Sequence, residues 1–265
     1  MLHQPTAEEV AQTIEIALDS LKKNSKHAEI AFFGGSFTAI DRGYMRSLLD
    51  ATAPYIDRFK GIRISTRPDC IDEEILALLR SFHVTAIELG AQSMSNRVLE
   101  LNERGHSAED VRNASRLIRG FGFESGLQMM TGLYGSTADS DRETARAFVE
   151  LHPDTVRIYP TIVMKNTRLG ELYQAGLYQP QTLDEAVGLT AELIGMFEST
   201  DIRVIRVGLH DSETLRRDMP SAVRGDPIHE ASAARDYDRP PARLHNDAIQ
   251  VADDALDASL LHRRH

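Results

Sequence analysis

The residues best suited to chemistry lie just after the short apolar runs of this sequence. Gly34, Gly35 and Ser36 follow AEIAFF, Thr66 and Arg67 end GIRISTR, and Gln92 and Ser93 end AIELGAQS. Thr131 and Gly132 follow GLQMM, Pro160 and Lys165 come after TVRIY, and His210 follows RVIRVGL. Paired glycines let a ligand approach the backbone and leave its N–H and C=O groups free to bind. The amide of Gln92 and the hydroxyl of Ser93 suit hydroxyl or amino groups, and the planar fork of Arg67 suits a carboxylate. Each also has an ordinary reading: a tight turn at Gly34-Gly35, a helix cap at Ser93, a solvated pair of Arg67 with Asp69. Arg157, Lys165 and Arg168 add a cationic rim fit for an anionic substrate, against the plainer reading of scattered surface charge.

Other chemistries lack their signatures. No Gly-Lys-Ser/Thr follows Gly34-Gly35, so the turn is not a phosphate loop, and there is no GxGxxG fingerprint. His83, His106, His152 and His210 show no metal-ligand spacing, and neither a nucleophile elbow nor a zinc-hydrolase helix is present. Met129 and Met130 read as core filler beside Gln128. The one cysteine, Cys70, excludes an intrachain disulfide and any multi-cysteine metal site within one copy, so no metal ligands are assigned.

Positioning those residues requires alternating strands and helices. Strands are expected over Glu29–Phe33, Gly61–Thr66, Ala86–Leu89, Gly126–Met130, Thr155–Tyr159 and Arg203–Gly208. Helical periodicity is strongest over Thr6–Lys22, Asp41–Tyr55, Asp72–Leu79, Ala108–Gly120, Ser140–Leu151 and Leu183–Glu198, with Thr6 and Glu9 spaced as a capping box. IAFF and AIEL carry apolar residues on both alternating positions, as in a parallel sheet covered by helices, with Glu88 inside the second needing a partner if it points inward. A doubly wound sheet shows the same alternation. Polar residues after nearly every strand favour an α/β barrel, whose strand ends converge on one mouth. Residues 1–210 are therefore expected as a barrel core. Residues 211–265, rich in Arg, Asp, Ala and Pro, are expected as a loosely ordered extension, with a short amphipathic helix in DAIQVADDALDASLL.

A net charge of −10 argues against a protein that coats nucleic acid or anionic lipid, though not against a local basic patch. The N-terminal stretch lacks a signal peptide's basic flank and apolar core, and no apolar run approaches the roughly 20 residues that span a bilayer. A soluble, cytoplasmic protein without a membrane partner is expected.

Taken in order, GGSF, STRPD, ELGAQS with NERGH, MM-x-GL and RIYPTIV-x-K-x-T-x-LGELY-x-AG-x-Y resemble the radical S-adenosylmethionine (SAM) family, in the branch around the Elongator catalytic subunit. The likeness runs from about Thr6 to His210. It implies a partial (β/α)6-type, TIM-like barrel that binds SAM beside a 4Fe-4S cluster and releases a 5′-deoxyadenosyl radical. By that resemblance Gly34, Gly35, Ser36 and Phe37 would bind the methionine amino group. Ser65, Gln92, Gln128 and Arg104 would match positions on the methionine carboxylate or the ribose, with Ser93 beside them. Many relatives carry an acid where Ser65 stands. The resemblance further implies tRNA as substrate, with a small molecule as rival, and a flavodoxin or ferredoxin as reductant. Absence of Trp and of a recognisable RNA-binding module weighs against tRNA.

One departure qualifies that reading. Family members hold the cluster with a CxxxCxxC loop after the first barrel strand, and a single cysteine does not replace three thiolates. Three expectations follow: a chain whose first strand and cluster loop lie upstream, a degenerate SAM- or nucleotide-binding module, or an interaction scaffold on the same barrel.

Overall fold

A computed structural model of the chain describes residues 4–208 and the backbone of Ala248–Gln250. The strands are parallel in the pairs β1–β2, β2–β3, β1–β7 and β5–β6, and follow the order β6-β5-β4-β3-β2-β1-β7. Two compact units share them. One holds the residues up to Gly90, Asp110–Gly126 and β7, and the other holds Ala91–Glu109 and the residues from Leu127 onward.

In the first unit, helix α1 (Ala7–Leu21) starts at the expected capping box. Thr6 Oγ1 accepts from the Glu9 N–H at 3.2 Å, and Glu9 Oε2 accepts from the Thr6 N–H at 2.7 Å. Val10, Ile14 and Leu18, spaced four apart, form its buried stripe. Strand β1 (Glu29–Phe32) and strand β2 (Gly61–Thr66) are buried at every position, the charged Glu29 and Arg63 included, as in a parallel sheet covered on both faces. Between them the helix expected over Asp41–Tyr55 divides. Helix α2 (Arg42–Asp50) ends early, and a 3-10 turn runs over Ala53–Arg58. Pro54 lies near the start of that turn, lacks an N–H, and disfavours α geometry at Ala53, so the α ladder stops short of it. Helix α3 (Glu73–Ser81), capped by Asp72, leads to strand β3 (Val84–Gln92), which extends past the expected run at both ends.

Every position of β1 is buried, and among the described residues its sheet partner opposite β2 is β7 (Ala248–Gln250). The amphipathic helix expected there is thus a strand over these three residues. The rest of the expected helix, and the remainder of residues 211–265, lie outside the described residues.

The second unit starts from the end of β3. Helix α4 (Asn96–Leu101) and helix α7 (Arg168–Gln174) were not expected from periodicity, being too short to show it. Helix α5 (Ala108–Gly120) and strand β4 (Glu124–Thr131) run between the two units. Helix α6 (Ala138–Leu151) begins two residues before the expected Ser140, because Thr137 caps it. Helix α8 (Leu183–Glu198) falls where expected and packs on α6, on strand β5 (Thr155–Pro160) and on strand β6 (Arg203–Val207).

The turn after β4 is gripped by side chains distant in sequence. Asp141 Oδ2 accepts the Gly132 N–H at 2.9 Å, and the Tyr178 hydroxyl donates to the Gly132 carbonyl at 2.7 Å. Asn102 completes the hold, with Nδ2 donating to the Tyr134 carbonyl at 2.8 Å and Oδ1 accepting the Tyr134 N–H at 3.3 Å. Gly132 sits at φ 70°, and a Cβ there would approach Gln181 Oε1 to 2.7 Å, so the turn requires glycine.

A charge network at the strand starts stabilises the first unit. Arg63, 1% exposed, donates from Nε to Glu29 at 2.8 Å and from Nη2 to Glu124 at 2.8 Å, and its Nη1 lies 3.4 Å from Glu88. Lys60 Nζ reaches Glu29 at 3.2 Å and Glu124 at 3.4 Å. Burial acts to lower the Arg63 pKa, but the Glu29 hydrogen bond and the Glu29, Glu88 and Glu124 charges raise it well above its usual range. Arg63→Met removes the central buried cation from Glu29 and Glu88 and leaves Lys60 at the edge of the network, so urea unfolding should show a loss of about 3 to 5 kcal/mol.

Asp141 gives a second test. Burial pushes its carboxyl up to about 6, against the opposing effects of the Gly132 N–H, Ser136 and Arg142. A folded-state pKa above the unfolded value near 3.8 means the folded chain binds more protons in that window, so stability falls as pH rises from about 4 to 6. Asp141→Asn keeps an acceptor for Gly132 and removes this dependence. Urea midpoints at pH 4 and pH 7 should show the variant gaining on the wild type by up to about 3 kcal/mol.

Candidate functional site

In the first unit the turn after β1 is built for close backbone approach. Gly34 at φ 98° and Gly35 at φ 156° adopt backbone that side-chain-bearing residues rarely take. Phe37, buried, stacks on Phe32 at 4.8 Å between ring centroids and anchors the turn to β1. Thr38 ties it to β2. Its N–H donates to Thr66 Oγ1 at 3.3 Å, its hydroxyl donates to the Cys70 carbonyl at 2.7 Å, and the two hydroxyl oxygens lie 2.6 Å apart. Because Thr38 spends its proton on Cys70, Thr66 supplies the proton between the hydroxyls. Ser65 is buried on β2, on the same face as Arg63 and in register with Glu88.

Arg67 lies beyond the end of β2 and holds Asp69 with two hydrogen bonds, at 2.9 and 2.6 Å. That bond and the Asp69 charge raise the Arg67 pKa despite partial burial. The plainer reading of Arg67, a partner for its neighbour, accounts for this geometry. Cys70 is half-buried. Burial, then Asp69, push its thiol pKa up, and Arg67 only partly offsets them. A protonated lone thiol is a poor metal ligand. Among the described residues no three His, Cys, Asp or Glu side chains group as metal ligands, so these residues do not fit a cluster.

In the second unit Gln92 closes β3 with two anomalies. It is 9% exposed with left-handed backbone at φ 64°, uncommon for a residue other than glycine, and its buried Oε1 has no hydrogen-bond partner. Strained backbone and an unmet buried acceptor both cost free energy, which the surrounding structure must offset. Ser93 serves the loop instead. Its Oγ accepts the Ser95 N–H at 3.2 Å and lies 3.4 Å from Thr144 Oγ1, while Ser95 is the cap of α4. The cap expected at Ser93 therefore falls two residues on.

Arg104 lies between two left-handed residues, Glu103 and Gly105. His106 follows with Nε2 3.1 Å from the Ala91 carbonyl. Gln128 is half-buried on β4. Of the rim, Arg157 and Lys165 are half-buried, whereas exposed Arg168 pairs with Glu171 at 3.3 Å. Gly170, in the LGELY block, has its role fixed by close approach, since a Cβ there would overlap the Met164 carbonyl.

Sequence reasoning missed four residues near these strand ends: Asn102, Asp141, Tyr178 and Thr161. The first three act over about 30 or more residues of separation in two cases and nine in the third, which no local pattern reveals. Thr161 stands in the YPT block. Its N–H donates to the Thr131 carbonyl at 2.9 Å, and its buried Oγ1 has no partner.

Comparison with known proteins bears on the family and the fold. The radical SAM superfamily model matches residues 3–148, and the radical SAM C-terminal domain model matches residues 153–230. A tRNA uridine(34) acetyltransferase of Methanocaldococcus jannaschii is 29% identical over 81% of this chain and 42% of its own length. Elongator complex protein 3 of Homo sapiens is 27% identical over 82% of this chain and 43% of its own. The structure of Methanocaldococcus infernus Elp3 with an N-terminal deletion superposes with a TM-score of 0.66 at 24% identity, covering 84% of this chain and 56% of that one. The chain thus spans less than half the length of those two curated relatives. No helix among the described residues is long and apolar enough to cross a membrane. The fold is α/β of the partial TIM-like barrel type, and the chain belongs to the radical SAM superfamily, in its Elongator catalytic-subunit branch.

Proposed function

We propose that this chain is a SAM-binding core of a tRNA-modifying radical SAM protein. The observation that carries the reading is Gln92, whose strained backbone presents a buried oxygen that nothing among the described residues satisfies. A ligand hydroxyl or amino group would satisfy it. The Gly34–Phe37 turn of the first unit would take the methionine amino group through its open backbone. Ser65, Gln92, Arg104 and Gln128 would meet the methionine carboxylate or the ribose. Ser93 supports Gln92 by fixing the loop that follows.

When bound in this family, the cluster supplies the electron that cleaves the sulfonium. Here one raised-pKa cysteine does not supply its ligands, so these 265 residues account for holding SAM and not for cleaving it. That favours a binding role for the chain as it stands, with radical chemistry dependent on thiolates from outside this sequence.

Calorimetry with SAM tests the core of the reading. The wild type should bind, and Gln92→Leu should weaken binding by roughly tenfold, the cost of a lost buried hydrogen bond. Its melting temperature should hold or rise, because a buried unmet oxygen disappears. Equal SAM affinity in both proteins would remove Gln92 from the site. Treated anaerobically with iron and sulfide, the chain should stay colourless.

The substrate reading rests on the names of the relatives and on Arg157 and Lys165, half-buried cations of the second unit. Such cations can neutralise phosphates, and binding of that kind weakens steeply with salt. Filter retention of tRNA should fall between low and moderate salt and fall further in Lys165→Glu. Salt-insensitive retention, or none, would favour a small-molecule substrate.

A further inference from the structure

The turn Thr131–Ser136 carries an unusual concentration of support. Gly132 is held at its N–H by Asp141 and at its carbonyl by Tyr178, and Tyr134 is held at both backbone groups by Asn102. Asp141 is 1% exposed, and no cation lies within ion-pair distance of it among the described residues. Burying a carboxyl to satisfy one peptide N–H costs more than a serine or a water would for the same bond. Beside the turn, the Thr161 N–H donates to the Thr131 carbonyl while the buried Thr161 hydroxyl finds no partner. The turn therefore borders a polar group that the chain leaves unsatisfied.

We infer that Asp141 is a positioning residue, which with Tyr178 holds the Gly132 peptide so that the turn after β4 forms a fixed wall of the SAM site. This rests on the SAM-binding reading above and adds a residue group to it. An ionised carboxylate accepts an N–H more strongly than a neutral carboxyl does. Ligand affinity should therefore follow the ionisation of Asp141. The titratable or charged groups that bear on it are Arg142 on its own helix and Tyr178 from the segment after α7, whose hydroxyl it helps raise after burial, to about 12. Neither changes charge between pH 5 and 7.

SAM calorimetry on the wild type, Asp141→Asn, Asp141→Leu and Tyr178→Phe at pH 5 and pH 7 tests the assignment. Wild-type affinity should drop several-fold from pH 7 to pH 5, and Asp141→Asn should show no such step. Asp141→Leu and Tyr178→Phe should each bind roughly tenfold more weakly at pH 7, with faster hydrogen exchange in the peptide covering 129–137. If Asp141→Leu fails to fold, Tyr178→Phe and the pH profile of Asp141→Asn decide. Variants that bind SAM like the wild type, with an unchanged pH profile, would overturn the positioning role alone. A wild type that binds no SAM at either pH would overturn the reading beneath it, and the exchange data would then report only on the grip.

Discussion

The interior guanidinium of Arg63 is the constraint on which the first unit depends. It lies on β2 and bonds carboxylates from the first residue of β1 and the first residue of β4, with a third from β3 nearby. A charge this deep is tolerable only when its donors are met; three glutamates meet them, and Lys60 at the edge offsets part of the surplus negative charge. Sliding β1 or β4 by one residue would turn its glutamate to the opposite face and strand the arginine. Register is thus set by the cost of an error more than by the strength of any single contact.

This arrangement separates two tasks along the same strands. In the first unit the charge network occupies the starts of β1 and β4, while the Gly34–Gly35 turn and the Thr38–Thr66–Cys70 chain occupy strand ends. Barrels of this type place stability at one face and chemistry at the other. The second unit repeats the tendency, with Gln92 and the gripped Gly132 turn closing β3 and β4.

Much of this was legible in the sequence because local rules agreed with the fold. The six main strands, α5, α8 and the Thr6–Glu9 box were readable from period and cap chemistry. Pro54 stood in plain view as the cause of the split after α2, but the strong apolar period across Asp41–Tyr55 hid it. Short helices α4 and α7 carry too few turns for a period. Within the site, Gln92 was identifiable by residue type and position, whereas its left-handed backbone and unmet oxygen depend on surroundings no window contains. The same holds for Asp141, which reads in sequence as an ordinary acid in the first turn of α6 and is instead the anchor of a turn nine residues earlier.

The pairing of β7 with β1 has a consequence for synthesis. Translation proceeds from the N-terminus, so β1 emerges roughly 200 residues, or about 10 to 40 s, before the segment that covers its outer edge. Throughout that interval the backbone edge that β7 takes up in the finished protein is open to any other strand that reaches it. A nascent chain in this state is a natural client for a chaperone that binds extended apolar segments, and its yield should depend on how quickly the last residues follow.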